Sequence, residues 1–121
     1  MYGFIKLAAA LPQVTVANCT QNAQHIISLL QQAEEQHVSV VCFPELSITG
    51  ATCNDLFFQR PLIEAVNKEL HNIVETTSTL TTFAIVGAPL LYNQQLYNCA
   101  IVIGKGKDFE KYKKMCDDFN L

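Results

Sequence analysis

A carboxylate stands directly after a predicted buried strand. The run Val38–Phe43 is short, almost continuously apolar and rich in β-branched residues, which is typical of a strand buried on both faces. Pro44 ends the run, because proline lacks the N–H that a strand ladder needs, and Glu45 follows. Since open α/β sheets bind ligands at the carboxyl ends of their strands, we expect Glu45 to face a pocket, with a pKa raised by desolvation toward that of a general base. The alternative is a loop acid that meets water or caps a helix.

The residues around Glu45 carry a family resemblance. The stretches Phe43-Pro44-Glu45-Leu46, Thr49-Gly50 and Cys53-Asn54-Asp55-Leu56-Phe57 resemble the first catalytic segment of the nitrilase, or carbon–nitrogen hydrolase, superfamily. The continuation TG-x-TCNDLF is similar to the glutaminase domain of glutamine-dependent NAD synthetases. Ala51 departs from that pattern, because the family usually has an aromatic residue after the TG pair.

The resemblance implies a reaction in which glutamine is hydrolysed to glutamate and ammonia. Glu45 corresponds to the general base of a Glu-Lys-Cys triad, in which the cysteine attacks the amide and the lysine stabilises the tetrahedral intermediate. The ammonia then amidates nicotinic acid adenine dinucleotide to NAD in a separate synthetase domain that uses ATP and Mg. The resemblance therefore implies glutamine as the ligand of this chain and no cofactor within it.

The lysine and the cysteine of the triad have no secure counterpart. Residues 108–121 depart from the family pattern, so we interpret 1–107 as a partial carbon–nitrogen hydrolase domain and 108–121 as a divergent tail. Lys114 lies at about the family's lysine distance from Glu45, whereas Cys116 begins a Cys-Asp-Asp-Phe sequence that resembles the family's nucleophile turn. They are only two positions apart in the sequence, so both cannot inherit their triad positions. The third interpretation is an unrelated tail with solvated lysines.

The tail also has a helical pattern. Phe109, Tyr112, Met115 and Phe119 recur at spacings of three, three and four in a charged segment. This periodicity predicts a short amphipathic helix or a frayed segment instead of the family's next strand.

The rest of the chain predicts an α/β fold with the order β-α-β-α-β-β. One helix begins at the capping pair Asn18 and Gln21, and a second begins at Pro61, with shorter helical structure over Asp55–Gln59. The last two strands are expected to form an antiparallel hairpin, with Pro89 ending the paired part of the first. Strands are predicted at Phe4–Ala10, Val38–Phe43, Phe83–Ala88 and Leu96–Ile103. The resemblance implies that this order opens a four-layer αββα sandwich.

The composition narrows the classes of function. The chain has 121 residues, a net charge of −3 and no basic stripe, which disfavours nucleic acid as a partner. None of its five cysteines forms a C-x-x-C pair and its three histidines lack ligand spacing, so we expect reduced thiols in a cytoplasmic protein and no metal site. No segment reaches the length of about 18 apolar residues that a membrane helix needs.

Three hypotheses follow for the function. The first is a partial glutaminase domain of NAD synthetase that is inactive alone, and the second is a fragment of another nitrilase-superfamily amidase. The third is a non-catalytic remnant. Because the family buries one face of this sheet against the second half of its domain, we also expect self-association through an uncovered sheet face or edge.

Overall fold

The computed structural model describes residues 4–111 and 117–118. At 54, 55, 107–111 and 117–118 it describes the backbone alone. The strands are β1 Leu7–Ala9, β2 Val40–Cys42, β3 Phe83–Tyr92, β4 Gln95–Gly104, β5 Lys107–Lys111 and β6 Asp117–Asp118. The α-helices are α1 Cys19–Glu35 and α2 Arg60–Thr76, and 3₁₀ turns cover Asn54–Phe58 and Thr77–Thr79.

The described strands form one mixed sheet in the order β1-β2-β3-β4-β5. The first three are parallel, and β4 pairs antiparallel with β3 on one side and with β5 and β6 on the other. This arrangement confirms the predicted α/β class and the predicted hairpin. It also brings the carboxyl ends of β1, β2 and β3 to one edge of the sheet.

The helix α1 begins at the predicted cap. The Oδ1 atom of Asn18 accepts a hydrogen bond from the Gln21 backbone N–H at 3.2 Å, and the Asn18 amide donates to Gln21 Oε1 at 3.1 Å. The pair therefore closes the first turn much as a capping box does. The buried stripe of α1 includes Ala23, Ile26 and Leu30, which are all 0% exposed.

Both α-helices pack on the same face of the sheet. Two successive right-handed crossovers between neighbouring parallel strands place their helices on one side. The Thr20 hydroxyl of α1 accordingly donates to Glu69 Oε2 of α2 at 3.1 Å. The core under these helices includes Val41, Val86 and Ile101, which are at most 1% exposed. Their neighbours along each strand point to the opposite face of the sheet.

The opposite face of the sheet is only partly covered. The alternating residues Val40, Ile85 and Val102 are half-buried, and Cys42 is exposed. At the edge strand, Leu7 is 70% exposed. The same strands therefore present a dense core on one side and accessible apolar surface on the other.

The predicted end of the pairing of β3 is wrong. Pro89 does not end the pairing of β3, because it lies opposite Asn98 within a ladder that continues to Tyr92. The ladder between β2 and β3 stops at Ile85, and the Phe43 N–H bonds to the Ile85 carbonyl. Beyond that point β3 has a partner strand on one side only, where a proline is tolerated.

The prediction of a helix or frayed segment after Lys107 is also wrong for residues 107–111, which form β5. Lys105 and Gly106 take positive φ values of 51° and 77°, which make a tight turn and return the chain beside β4. Pairing with the backbone N–H and C=O groups of β4 therefore decides the conformation of residues 107–111, even though their side-chain spacing favours a helix. The remaining positions of that prediction, Tyr112, Met115 and Phe119, lie outside the described residues.

Candidate active site

Glu45 lies at the carboxyl edge of the sheet, as predicted. The strand β2 ends at Cys42, and a series of turns over residues 45–49 carries the chain away from the sheet. The carboxyl ends of β1 and β3 meet at this same edge. The position is the one at which open α/β sheets place ligands.

The side chain of Glu45 is exposed, so the expectation that it faces a pocket is wrong for this chain. Its neighbours from Leu46 to Gly50 are all buried, and Pro44 is half-buried. The reason is the direction of the turn: the Glu45 backbone lies against β3, which directs its carboxylate outward. A single charged group therefore projects from a loop that is otherwise packed into the protein.

The loop around Glu45 lies directly on the backbone of Gly87 in β3. A Cβ atom at position 87 would lie 2.6 Å from both the Leu46 nitrogen and the Pro44 oxygen. The Ser47 hydroxyl also donates to the Gly87 carbonyl at 3.4 Å. The close approach explains why an isolated glycine occurs inside this apolar strand.

The backbone at Leu46 is strained. Its φ of 51° is in the left-handed region, which costs a residue with a Cβ atom about 1–2 kcal/mol. The Leu46 side chain is nevertheless 4% exposed, so its burial offsets this cost. Gly50, with a φ of 84°, completes the turn and donates its N–H to the Leu46 carbonyl at 2.7 Å.

A buried amide connects this loop to α1. Asn22 is 0% exposed, and its Nδ2 donates to the Ile48 and Thr15 carbonyls, each at 2.7 Å. Its Oδ1 accepts from the Thr15 N–H at 2.8 Å. The Ala17 N–H bonds to the Thr49 carbonyl at 2.8 Å as well. The loop is therefore fixed from both the helix and the segment that precedes it.

Asn22 and Gly87 were not among the predicted site residues, although the sequence carries a signal for each. Asn22 is a polar residue on the buried side of α1, beside Ala23, and a buried amide requires partners. Gly87 interrupts an apolar strand, which is a mark of a close backbone approach. Both signals identify contacts whose partners only the fold reveals.

Two described thiols are unsuited to nucleophilic attack. Burial, together with nearby Cys53 and Glu69, raises the pKa of Cys19 to about 11. Burial also raises the pKa of Cys53, whose Sγ lies 3.2 Å from the Thr49 carbonyl. Both thiols therefore stay protonated at neutral pH, and a protonated thiol is a poor nucleophile.

The other two predicted site residues belong to the tail, 108–121. Lys114 and Cys116 lie outside the described residues. Cys42, Cys19 and Cys53 are free thiols. The structure thus places one of the three predicted catalytic groups.

A cavity of about 820 Å³ lies elsewhere, between α2 and the β3–β4 hairpin. Its lining includes Leu70, His71, Leu90 and Ile101, and Glu45 is not among its described lining residues. The cavity is therefore on the helix-bearing side and separate from the candidate site.

Across 4–111 and 117–118, no three His, Cys, Asp or Glu side chains converge as metal ligands. Neither α1 nor α2 is long and apolar enough to cross a membrane.

The chain is similar in sequence to glutamine-dependent NAD(+) synthetases. The chain is 34% identical over 104 residues to the enzyme of Mycobacterium leprae, which covers 86% of the chain and 15% of the relative. It is 31% identical over 115 residues to that of Xylella fastidiosa, covering 94% and 21%. The chain thus spans about a fifth or less of the length of these curated relatives.

Solved structures agree with the sequence comparison. The glutamine-dependent NAD(+) synthetase of Cytophaga hutchinsonii superposes with a TM-score of 0.78 at 25% identity, covering 84% of this chain and 17% of that one. An amidase from Nesterenkonia sp. superposes with a TM-score of 0.67 over 87% of this chain and 41% of that one. At 20% identity, the amidase shows a shared fold alone.

A family model described as carbon–nitrogen hydrolase matches residues 6–116, which is most of the chain. The match includes the whole loop that carries Glu45 and all of the parallel strands. The chain therefore belongs to the carbon–nitrogen hydrolase family.

Proposed function

We propose that this chain is part of a glutaminase domain of a glutamine-dependent NAD synthetase, in which Glu45 is the general base. The observation that carries the proposal is the presentation of Glu45: an exposed carboxylate projects from a buried loop at the carboxyl edge of the sheet. The relatives from Mycobacterium leprae and Xylella fastidiosa, which are synthetases of this kind, support the choice of glutamine.

The chemistry assigned to Glu45 is proton transfer. A carboxylate that takes the proton of a thiol and passes it to departing ammonia must keep a fixed position relative to both. The contacts of the loop with Gly87 and Asn22 supply that rigidity. The thiol and the lysine remain to be provided, and Cys116 and Lys114 are the candidates within this chain. The amidation of nicotinic acid adenine dinucleotide, with ATP and Mg, is assigned to a separate synthetase domain.

A chimera tests the role of Glu45. Residues 6–111 of this chain replace the matching segment of the Mycobacterium leprae relative, and NAD formation is measured with glutamine or with ammonia as the nitrogen source. We expect Glu45→Gln to lower the glutamine-dependent rate on the order of 10²–10⁴-fold, as loss of a general base does, and to leave the ammonia-dependent rate unchanged.

The matched control is Glu64→Gln, which removes an exposed carboxylate from α2. Both rates of the Glu64→Gln chimera should equal those of the unsubstituted chimera. Equal glutamine-dependent rates for the Glu45→Gln and unsubstituted chimeras would contradict the proposal.

The chain on its own is expected to release no ammonia from glutamine above background. Triad members act as a unit, so a base without a placed thiol retains little of the chemistry. Ammonia release that Glu45→Gln abolishes would contradict this expectation and would show that a thiol of this chain reaches Glu45. The variant Cys116→Ser would then be the first to test.

The partly covered face of the sheet favours a second property, which is self-association. Leu7 is 70% exposed at the edge strand, and Ile85 and Val102 are half-buried on the same face. Apolar surface and an unpaired strand edge both promote association between copies. This property also fits the alternative hypothesis of a non-catalytic remnant.

Sedimentation measures the association directly. We expect the chain to form dimers or larger species, and Leu7→Glu to shift it toward the monomer by placing a charge on the exposed face. Ser28→Glu, which adds the same charge to the exposed side of α1, is the control and should have no effect. A monomer at high concentration with a sharp thermal transition would contradict the proposed association.

A further inference from the structure

The contact between Gly87 and the Glu45 loop is made by backbone atoms on both sides. A Cβ atom at position 87 would lie 2.6 Å from the nitrogen of Leu46, 2.6 Å from the oxygen of Pro44 and 2.9 Å from Cα of Glu45. A Cβ atom essentially never comes within 3.0 Å of a heavy atom that is outside its own residue and the two adjacent residues. Any residue other than glycine at this position must therefore displace the loop or the strand.

The strand is the less able of the two to move. Gly87 pairs with Ala100 in the middle of the β3–β4 ladder, which is continuous from Ala84 to Tyr92. Its neighbours Val86 and Ala88 are both 0% exposed under the helices. A shift of β3 would disturb this core, so a side chain at position 87 would displace the loop.

We propose that Gly87 is a positioning residue for Glu45. Its missing side chain lets the loop lie directly on β3, and this contact fixes where the Glu45 backbone stands and the direction in which the carboxylate points. The inference rests on the proposed function, because the position of Glu45 matters for catalysis only if Glu45 is the general base. A base must be held in a fixed position relative to the groups with which it exchanges protons.

Gly104 provides a matched comparison within the same hairpin. A Cβ atom there would lie 2.2 Å from Cδ1 of the Phe83 ring, which is a side-chain atom at the other end of β3. A ring can move to admit a methyl group, whereas three successive backbone units cannot do so without moving Glu45. Glycine to alanine at 87 and at 104 is therefore the same chemical change with different consequences for the site.

The contact can be measured first in the unsubstituted chain by NMR. We expect strong nuclear Overhauser cross-peaks from the α-protons of Gly87 to the amide proton of Leu46 and to the α-proton of Glu45. Their absence would overturn the proposal without any variant. Because these cross-peaks do not depend on glutamine hydrolysis, a failure of this inference is distinguishable from a failure of the proposed function.

The variant Gly87→Ala tests the consequence. We expect the cross-peaks from position 87 to Leu46 to be lost and the largest amide shift changes to fall on Glu45, Leu46 and Ser47, while the cross-peaks of the β3–β4 ladder persist. Gly104→Ala should shift Phe83 and leave these three amides unchanged. Unchanged Glu45 and Leu46 amides in Gly87→Ala, or equal changes in both variants, would overturn the proposal.

Discussion

Near each end of helix α1, one polar side chain accepts or donates three hydrogen bonds to neighbouring segments, and these two side chains differ in burial and charge. At its first turn, the neutral amide of Asn22 is 0% exposed and makes three hydrogen bonds with Thr15 and Ile48. At its last turn, the half-exposed carboxylate of Glu34 accepts hydrogen bonds from the Thr81 N–H at 2.6 Å, the Thr81 hydroxyl at 2.8 Å and the Thr82 N–H at 2.9 Å.

The difference follows from what each end must fix. The Asn22 end holds the loop that carries Glu45, and burying this loop requires a group that donates and accepts without a charge to desolvate. The Glu34 end fixes the start of β3 near solvent, where a carboxylate stays hydrated and accepts three bonds. A neutral group therefore serves the site edge, and an ionised group serves the opposite edge.

The largest effect is expected from Asn22→Ala. The substitution removes three hydrogen bonds and leaves the Ile48 carbonyl without its amide partner, and each buried group so left costs about 1–3 kcal/mol. We expect the free energy of unfolding, measured with urea, to fall by about 3 kcal/mol. Asn67→Ala, at an exposed position on α2, should change it by less than about 0.5 kcal/mol. Equal stability of the two variants would break the comparison.

A smaller effect is expected from Glu34→Gln. The neutral amide keeps the shape of the side chain but weakens charge-assisted bonds, and solvent screening at this partly exposed position limits the loss to about 1 kcal/mol. The control is Glu35→Gln, because Glu35 is the next residue in the chain and its carboxylate is exposed. A loss in the control as large as that in Glu34→Gln would show that a general charge effect is responsible.

The pH dependence sharpens the same comparison. Hydrogen bonds from the Thr82 N–H and the Thr81 hydroxyl hold the pKa of the Glu34 carboxyl below its ordinary value of 4.5. A lowered folded-state pKa contributes stability above pH 4.5, and this contribution is lost as pH falls through the folded-state pKa. The stability difference between the unsubstituted chain and Glu34→Gln should therefore shrink in acid. The difference for Asn22→Ala should not follow this curve, and parallel curves would contradict the assignment.

The smallest effect is expected from Lys6→Met at the Glu34 end. The Lys6 ammonium donates to the Gln36 carbonyl at 2.8 Å, just past the end of α1, and the side chain is exposed. A cation at a helix carboxyl end contributes about 0.3 kcal/mol when exposed, and salt screens it. We expect Lys6→Met to lower the free energy of unfolding by this amount at low salt and by nothing at high salt. A salt-independent loss would indicate packing of the lysine stem instead.

Local sequence signals predicted the elements whose stability is local. The cap at Asn18 and the β3–β4 hairpin depend on residues close together in the chain, and the structure confirms both. The first two strands were predicted to be longer than β1 and β2 are. An apolar run shows which residues can form a strand, but the length of the pairing also depends on where the neighbouring strand ends.

The errors arose where distant residues decide the outcome. The direction of Glu45 depends on the contact of its loop with Gly87, forty-two positions along the chain, and no spacing near Glu45 reveals it. The strand β5 depends on the open edge of β4, which overrode the helical spacing that begins at Phe109. The family resemblance made Glu45 the candidate general base but did not indicate the residues that hold its loop in place.

The β3–β4 hairpin has a consequence for the order of folding. Its ladder runs from Ala84 opposite Ile103 to the turn at Asn93 and Gln94, so its contacts close short loops, whereas β2 reaches β3 only across the whole of α2. Short loops close faster, so we expect the hairpin to form in the transition state and β2 to join afterwards. Val86→Ala should then slow folding, and Val41→Ala, at an equally buried position on β2, should mainly speed unfolding. Stopped-flow measurements of the folding and unfolding rates of both variants test this order. If β2 formed before the hairpin, Val41→Ala would slow folding and Val86→Ala would mainly speed unfolding.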